Sequence, residues 1–261
     1  MQQPKQVIYY KDELKDDFSG FHKNAIQISD DFPFIHKNPL WRLLAFIVYR
    51  VIMTPFALLY CKCKYRLKII KHMTATPKRG AGCFLYANHT LADGDAFMPT
   101  LLMFPKKVYP IVNPENISTK GTKNFILMNG AIPIPQSISA FRGFLNAVEK
   151  RILQGHCVAV YPEAHIWPYY TGIRPFSAKA FKYPVKYGAP VYVSTTTFQE
   201  HPRGGRPRVT AYLEGPFYPD AELPVREAQQ KLRDTVYAVM RRNAVHSTCQ
   251  YIEYRKETAE A

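Results

Sequence analysis

The stretch YANHTLADGDAFMPT, residues 86–100, joins two apolar runs through a polar loop. Upstream, Cys83-Phe84-Leu85-Tyr86-Ala87 reads as a buried strand. Downstream, Ala96-Phe97-Met98 and Leu101-Leu102-Met103 read as a helix beginning at Asp95, with Pro99 in its first turn, where a missing N–H costs little. A rigid strand-to-helix join that opens to ligand is where α/β scaffolds place chemistry. His89 is the one side chain of this loop that can act as a base near neutral pH. Its second ring nitrogen needs an acceptor, and Asp93 or Asp95 is close enough to fold back and supply one. Asp-Gly-Asp is also ordinary turn chemistry, and His89, Asp93 and Asp95 together would suit a metal, although no further His-rich or acidic cluster completes such a site.

Outward from this loop, strands and helices alternate. Strands are expected over residues 107–112, 131–135, 156–161, 190–198 and 209–213. Helices are expected over 118–128, 139–153 (capped by Ser139 and stopped by Gly155), 177–187 and 224–242. That order predicts an α/β fold with a mostly parallel or mixed central sheet covered by helices. The 261 residues and 47% apolar composition suffice for one such domain. Residues 1–38 read as a polar, loosely structured arm, 39–60 as membrane-binding helices, and 61–261 as the α/β domain.

Residues 40–61 are long and apolar enough to cross a bilayer, but Arg42, Arg50 and Pro55 interrupt them. An interfacial or re-entrant helix fits better, with Trp41 at the boundary and Arg42, Arg50, Lys62 and Lys64 reaching headgroups. CKCKYRLKI, residues 61–69, alternates apolar and basic, and predicts a strand with one cationic face. Lys and Arg outnumber Asp and Glu by 35 to 20, a balance of +15 that favours an anionic partner. No zinc spacing, RNP-like aromatic motif or basic helical arm supports nucleic acid, so an anionic membrane surface is the expected partner. Five Cys without CxxC pairs, and no signal peptide, point to reduced thiols and the cytoplasmic face of the cell membrane, with peripheral or monotopic attachment.

Two further blocks carry candidate chemistry. In YPEAHIWPYYTGIRPFSAKAF, Glu163 closes an apolar strand and is suited to accept hydrogen bonds from a polyol or to orient loop backbone. Arg174 and Lys179 are suited to hold phosphate. In GAIPIPQSISAFRGF, Arg142 lies early in a helix, where phosphate is favoured. No GxSxG elbow is present, which favours attack by the substrate's own hydroxyl.

NHTLADGD, GAIPIPQ, YPEAH and APVYV, in this order, resemble the motifs of the 1-acylglycerol-3-phosphate acyltransferases, over about residues 86–198. Gly94 stands where that family has its Asp, and Asp95, which leads directly into the helix, is the preferred partner. Gln136, Ala164 and Ile166 stand where the family has Arg, Gly and Arg. The resemblance implies transfer of a fatty acyl group from acyl-CoA or acyl carrier protein to a lysophospholipid hydroxyl. Lysophosphatidate is the first expectation for the acceptor. His89 is then the base and Asp95 its orienting carboxylate. Asn88 and loop amides polarise the thioester, Arg142, Glu163 and Arg174 contact substrate, and no metal or redox cofactor is needed. The rival reading is a catalytically degenerate protein that binds anionic lipid.

Overall fold

The computed structural model describes residues 4–20, 25–74, 77, 80–119 and 121–257. In chain order the elements are β1 (Gln6–Tyr10), α1 (Pro39–Phe46), a π-helical segment (Ile47–Met53), α2 (Thr54–Tyr65), β2 (Lys68–Met73), β3 (Cys83–Ala87), α3 (Met98–Leu102) and β4 (Val108–Val112). There follow α4 (Lys123–Met128), β5 (Ile132–Pro133), α5 (Ile138–Leu153), β6 (Cys157–Val160), α6 (Lys182–Tyr187), β7 (Val191–Gln199), β8 (Arg208–Phe217), α7 (Val225–Ala244) and β9 (Ile252–Lys256). Seven strands form the central sheet in the order β2-β8-β7-β3-β6-β4-β5. From β7 to β5 all neighbours are parallel; β8 runs antiparallel to β7, and β2 pairs with β8 in parallel.

Every residue of β3 and β6 is buried, as a sheet covered on both faces requires. Alternate side chains feed two cores. Cys83, Leu85, Cys157 and Ala159 pack with Tyr65 and Leu102 on one face. Phe84, Tyr86, Val158 and Val160 pack with Phe144 of α5 and Val236 of α7 on the other. His89, Glu163 and the start of α5 therefore follow the carboxyl ends of parallel strands on one edge of the sheet.

α1, the π segment and α2 form one continuous helix, Pro39–Tyr65. It keeps only a narrow stripe buried: Ala45, Tyr49, Ala57, Cys61 and Tyr65. Four residues overshoot a 3.6-residue turn, and the wider π turns offset that drift, so the stripe stays on the core. The π turns also carry the helix into Pro55, which lacks an N–H, without a break. The opposite side exposes Leu40, Phe46, Val51, Ile52 and Leu59. Among the described residues this is the one helix long and apolar enough to cross a membrane.

The expected strand over residues 61–69 is corrected. α2 continues to Tyr65, Arg66 ends it in the left-handed region at φ 49°, and the strand starts at Lys68. Cys61 and Tyr65 satisfy a period of two and a spacing of four alike, and packing against Leu91 and Met98 selects the helix. The N-terminal arm is also less loose than expected. β1 pairs in parallel with β9, and Ile28 and Phe32 pack with Ile117 and Ala140. Ser137, not Ser139, caps α5; Ser139 donates instead to Asp30 of the arm.

Candidate active site

β3 delivers Asn88 and His89 to the sheet edge, and the turn that follows brings Asp95 back. Gly94 and Asp95 donate their N–H groups to the Leu91 carbonyl. A Cβ at position 94 would lie 3.0 Å from the Leu91 and Tyr65 side chains, so any other residue there obliges those neighbours to give by a few tenths of an ångström, and glycine suits the close approach. The result sets Asp95 Oδ2 2.7 Å from His89 Nδ1 and 3.0 Å from the Leu91 N–H it accepts. The Asp95 side chain is 5% exposed and that of His89 23%. No hydrogen bond to His89 Nε2 is found among the described residues, and the His89 side chain keeps part of its surface exposed. Nδ1 is thus held by a buried carboxylate, which leaves Nε2 as the ring nitrogen not engaged by Asp95. Asp93 points elsewhere, forming an ion pair at 2.5 Å with Lys64 of α2. The metal alternative loses its third ligand by that turn, and no group of three His, Cys, Asp or Glu side chains among the described residues is placed to hold an ion.

The block after β6 builds the floor of this site. Glu163 is buried and accepts the His89 backbone N–H at 2.9 Å and the Arg174 backbone N–H at 2.9 Å. Trp167 N–H donates to the His89 carbonyl and Tyr169 N–H to the Thr90 carbonyl. The two strand-end loops are therefore zipped together by their backbones. Burial pushes the Glu163 carboxyl up, opposed by the Arg174 guanidinium and those two N–H groups. Burial likewise pulls Arg174 down, and Glu163 opposes it. Each partner's desolvation outweighs what the other returns, as is usual for an ion pair taken out of water.

The expected roles of several residues change accordingly. Asn88 is no polarising donor: its amide exchanges two hydrogen bonds with the Thr196 backbone, at 2.8 and 3.1 Å, and clamps β3 to β7. Glu163 takes the loop-orienting role and has no face left for a polyol. Arg174, 1% exposed, is engaged by the protein itself: it pairs with Glu163, donates to the Glu13 and His165 carbonyls, and lies over Trp167. Arg142 is exposed on α5, and no ion pair or hydrogen bond ties it to the His89 site among the described residues. Lys179 is exposed as well. A buried polar side chain turns toward whichever unpaired backbone group lies nearest, and spacing along the chain does not report that.

Tyr161 was not expected at the site. Its ring stacks on His89, centroids 4.4 Å apart and planes 24° from parallel, and its hydroxyl donates to the Asp95 carbonyl at 2.6 Å. Its place at the end of β6, two residues before Glu163, was the available signal.

No protein-family model and no curated protein matches the sequence. The structure does match a solved one: the crystal structure of the 1-acyl-sn-glycerophosphate (LPA) acyltransferase PlsC from Thermotoga maritima. The TM-score is 0.56 at 16% identity, over 81% of this chain and 83% of that one. The chain shares the fold of that enzyme.

Against that fold, the departures in the motifs acquire structural content. Gln136 is occupied by the chain's own arm, accepting from the Ile28 N–H and donating to the Ile26 carbonyl, both at 3.2 Å. Ile166 is buried. Ala164 sits at φ 65°, a conformation that glycine takes without the cost a Cβ incurs.

Proposed function

We propose that this protein is a monotopic membrane acyltransferase that moves a fatty acyl group from a thioester, on coenzyme A or acyl carrier protein, to a lysophospholipid hydroxyl. The observation that carries the reading is the His89–Asp95 contact, with Nε2 not engaged by Asp95, at the carboxyl edge of a sheet with this fold. His89 Nε2 removes the hydroxyl proton as the oxygen attacks the thioester carbonyl carbon. The tetrahedral intermediate collapses with loss of the C–S bond, and the imidazolium returns its proton to the thiolate. Asp95 holds Nδ1–H throughout and stabilises the imidazolium. Base assistance of this kind is worth about 10²–10⁴-fold, and holding donor and acceptor together supplies the larger part of the rate. The exposed face of the Pro39–Tyr65 helix would enter the outer part of the bilayer, and α2 contacts the catalytic loop directly through Lys64 and Asp93.

One observation favours an acceptor other than lysophosphatidate. Arg174, one of the residues suited to phosphate, and Ile166, which stands where the family has Arg, are buried, and Gln136, where the family has its other Arg, is bonded to the chain's own arm; Arg142 and Lys179 stay exposed. Purified protein in mixed micelles, given labelled acyl-CoA or acyl carrier protein with a panel of lysolipids, tests both levels. Acyl transfer that His89→Ala abolishes supports the mechanism, and the preferred acceptor names the substrate. Near-normal transfer by His89→Ala rejects the dyad. No transfer to any acceptor by the unmodified protein leaves the lipid-binding reading in its place.

A further inference from the structure

The amino-terminal ends of the same strands, opposite His89, carry a second concentration of charge. Lys106 and Lys107 precede β4, His156 precedes β6, and Arg151 lies in the last turn of α5. Arg50 reaches in from the π segment: its Nη2 donates to the Pro105 carbonyl at 2.7 Å, and its guanidinium stands 5.3 Å from the Phe104 ring. Two tyrosines gather three of these cations. Lys107 Nζ lies 4.8 Å from the Tyr49 ring and 5.2 Å from that of Tyr109. Arg50 is 5.5 Å from Tyr49, and Arg151 is 4.4 Å from Tyr109.

None of the ion pairs among the described residues includes Arg50, Lys107 or Arg151. The neighbouring charges felt by Lys107 are those of Arg151 and Arg50, and with burial they hold its ammonium down to about 8. His156 is pushed to about 4 by burial and then by Arg151, Lys107, Lys106 and Arg50. Arg50 Nη1 and Arg151 Nε are buried donors with no hydrogen-bond partner. Buried N–H groups in a cluster of one sign are costly until an anion both neutralises and accepts from them.

We propose that Arg50, Lys107 and Arg151 form a phosphate site that takes the headgroup of an anionic phospholipid, an inference that rests on the membrane-attached reading above. Guanidinium forks beside an ammonium suit the tetrahedral array of phosphate oxygens. A lipid source, rather than a soluble phosphate, follows from the surroundings: Phe104, whose ring lies beside Arg50, is exposed, and Arg50 belongs to the helix that exposes Phe46, one turn before it, with Val51 and Ile52. The site is not the acceptor subsite of the reaction. Strands of four to five residues at about 3.3 Å each put it roughly 15 Å from the His89 edge, farther than a glycerol backbone reaches. The lipid held here is a resident one that fixes how the domain sits on the bilayer.

Sedimentation of the full chain with vesicles tests this. The probes are pure phosphatidylcholine and phosphatidylcholine with 30% phosphatidate, a composition set by the experimenter at about the level that gives a strong surface charge. The Lys107→Gln/Arg151→Gln pair should bind phosphatidate vesicles about tenfold or more weakly and phosphatidylcholine vesicles unchanged. Lys107→Arg/Arg151→Lys should keep the affinity. Arg226→Gln/Arg241→Gln, an equal loss of charge on α7, should cost about twofold or less. An equal loss in the α7 pair would assign binding to diffuse charge and overturn the site. Unchanged phosphatidate binding by the Lys107/Arg151 pair would overturn it too. Thermal protection of the wild type, but not of that pair, by inorganic phosphate, with vesicle binding unaltered, would reject the lipid source. Loss of binding to phosphatidylcholine would instead indict the apolar helix, and with it the membrane reading itself.

Discussion

Asp95→Asn separates charge from geometry at the proposed dyad. A single oxygen, Oδ2, faces both His89 Nδ1 at 2.7 Å and the Leu91 N–H at 3.0 Å. An asparagine that places its carbonyl oxygen there keeps both acceptor contacts, so the loop and the imidazole tautomer survive and only the negative charge is lost. An imidazolium and a carboxylate whose charge centres lie about 4 Å apart interact by about 4 kcal/mol at an effective dielectric constant near 20. That interaction exists only while the ring is protonated, during attack and collapse, so its loss falls on kcat and not on KM. At 1.36 kcal/mol per tenfold, the full loss is about 10³, and the partial exposure of His89 brings the expectation to about 10²–10³. The assay is steady-state transfer from labelled acyl-CoA to the best lysolipid of the panel, with circular dichroism to confirm the fold. Asp93→Asn, which breaks only the exposed pair with Lys64, should stay within about threefold. The reasoning fails if Asp95→Asn keeps more than a third of wild-type kcat, or if Asp93→Asn costs as much.

Three further outcomes follow from the same packing. Ala164→Gly should stabilise by about 1 kcal/mol, since it relieves a Cβ held at φ 65°, and should raise the melting temperature by about 2–4 °C; no rise would show that the turn holds no strain. Arg174→Met should cost about 3–5 kcal/mol because it strands the Glu163 carboxylate. A carboxyl whose folded pKa is raised binds its proton more tightly in the folded state, so that stability is lost as pH rises, and the penalty measured by urea unfolding should be larger at pH 8 than at pH 5. Lys107→Met should stabilise the lipid-free protein at pH 7, by at most about 3 kcal/mol. Lys107 is held down to about 8 in the fold, so the wild type carries its cost below that pH and sheds it toward 10.5; the difference in melting temperature should shrink over that window, and a constant difference would refute the assignment.

Much of this protein is legible in its local patterns. Turn chemistry at residues 86–100 marks the join between a buried strand and a helix, and alternation elsewhere marks β4, β6, β7 and β8 and the course of α5 and α7. Periodicity reports which face of an element is apolar, because a strand or helix must bury that face whatever it meets. The motif order also pointed to the right fold.

What the chain left open was every question whose answer lies on another segment. Asp93 and Asp95 are alike in the sequence; Asp95 faces His89 because Gly94 lets the loop close against Leu91 and Tyr65, and Asp93 is drawn off by Lys64. Asn88, Glu163 and Arg174 resemble ligand contacts until Thr196, the His89 backbone and Glu13 are set beside them. Residues 61–65 fit strand and helix alike until the core selects one, and β1 pairs with β9, far along the chain. A polar group taken out of water must be paired, and its partner is chosen by distance in the folded chain rather than along it.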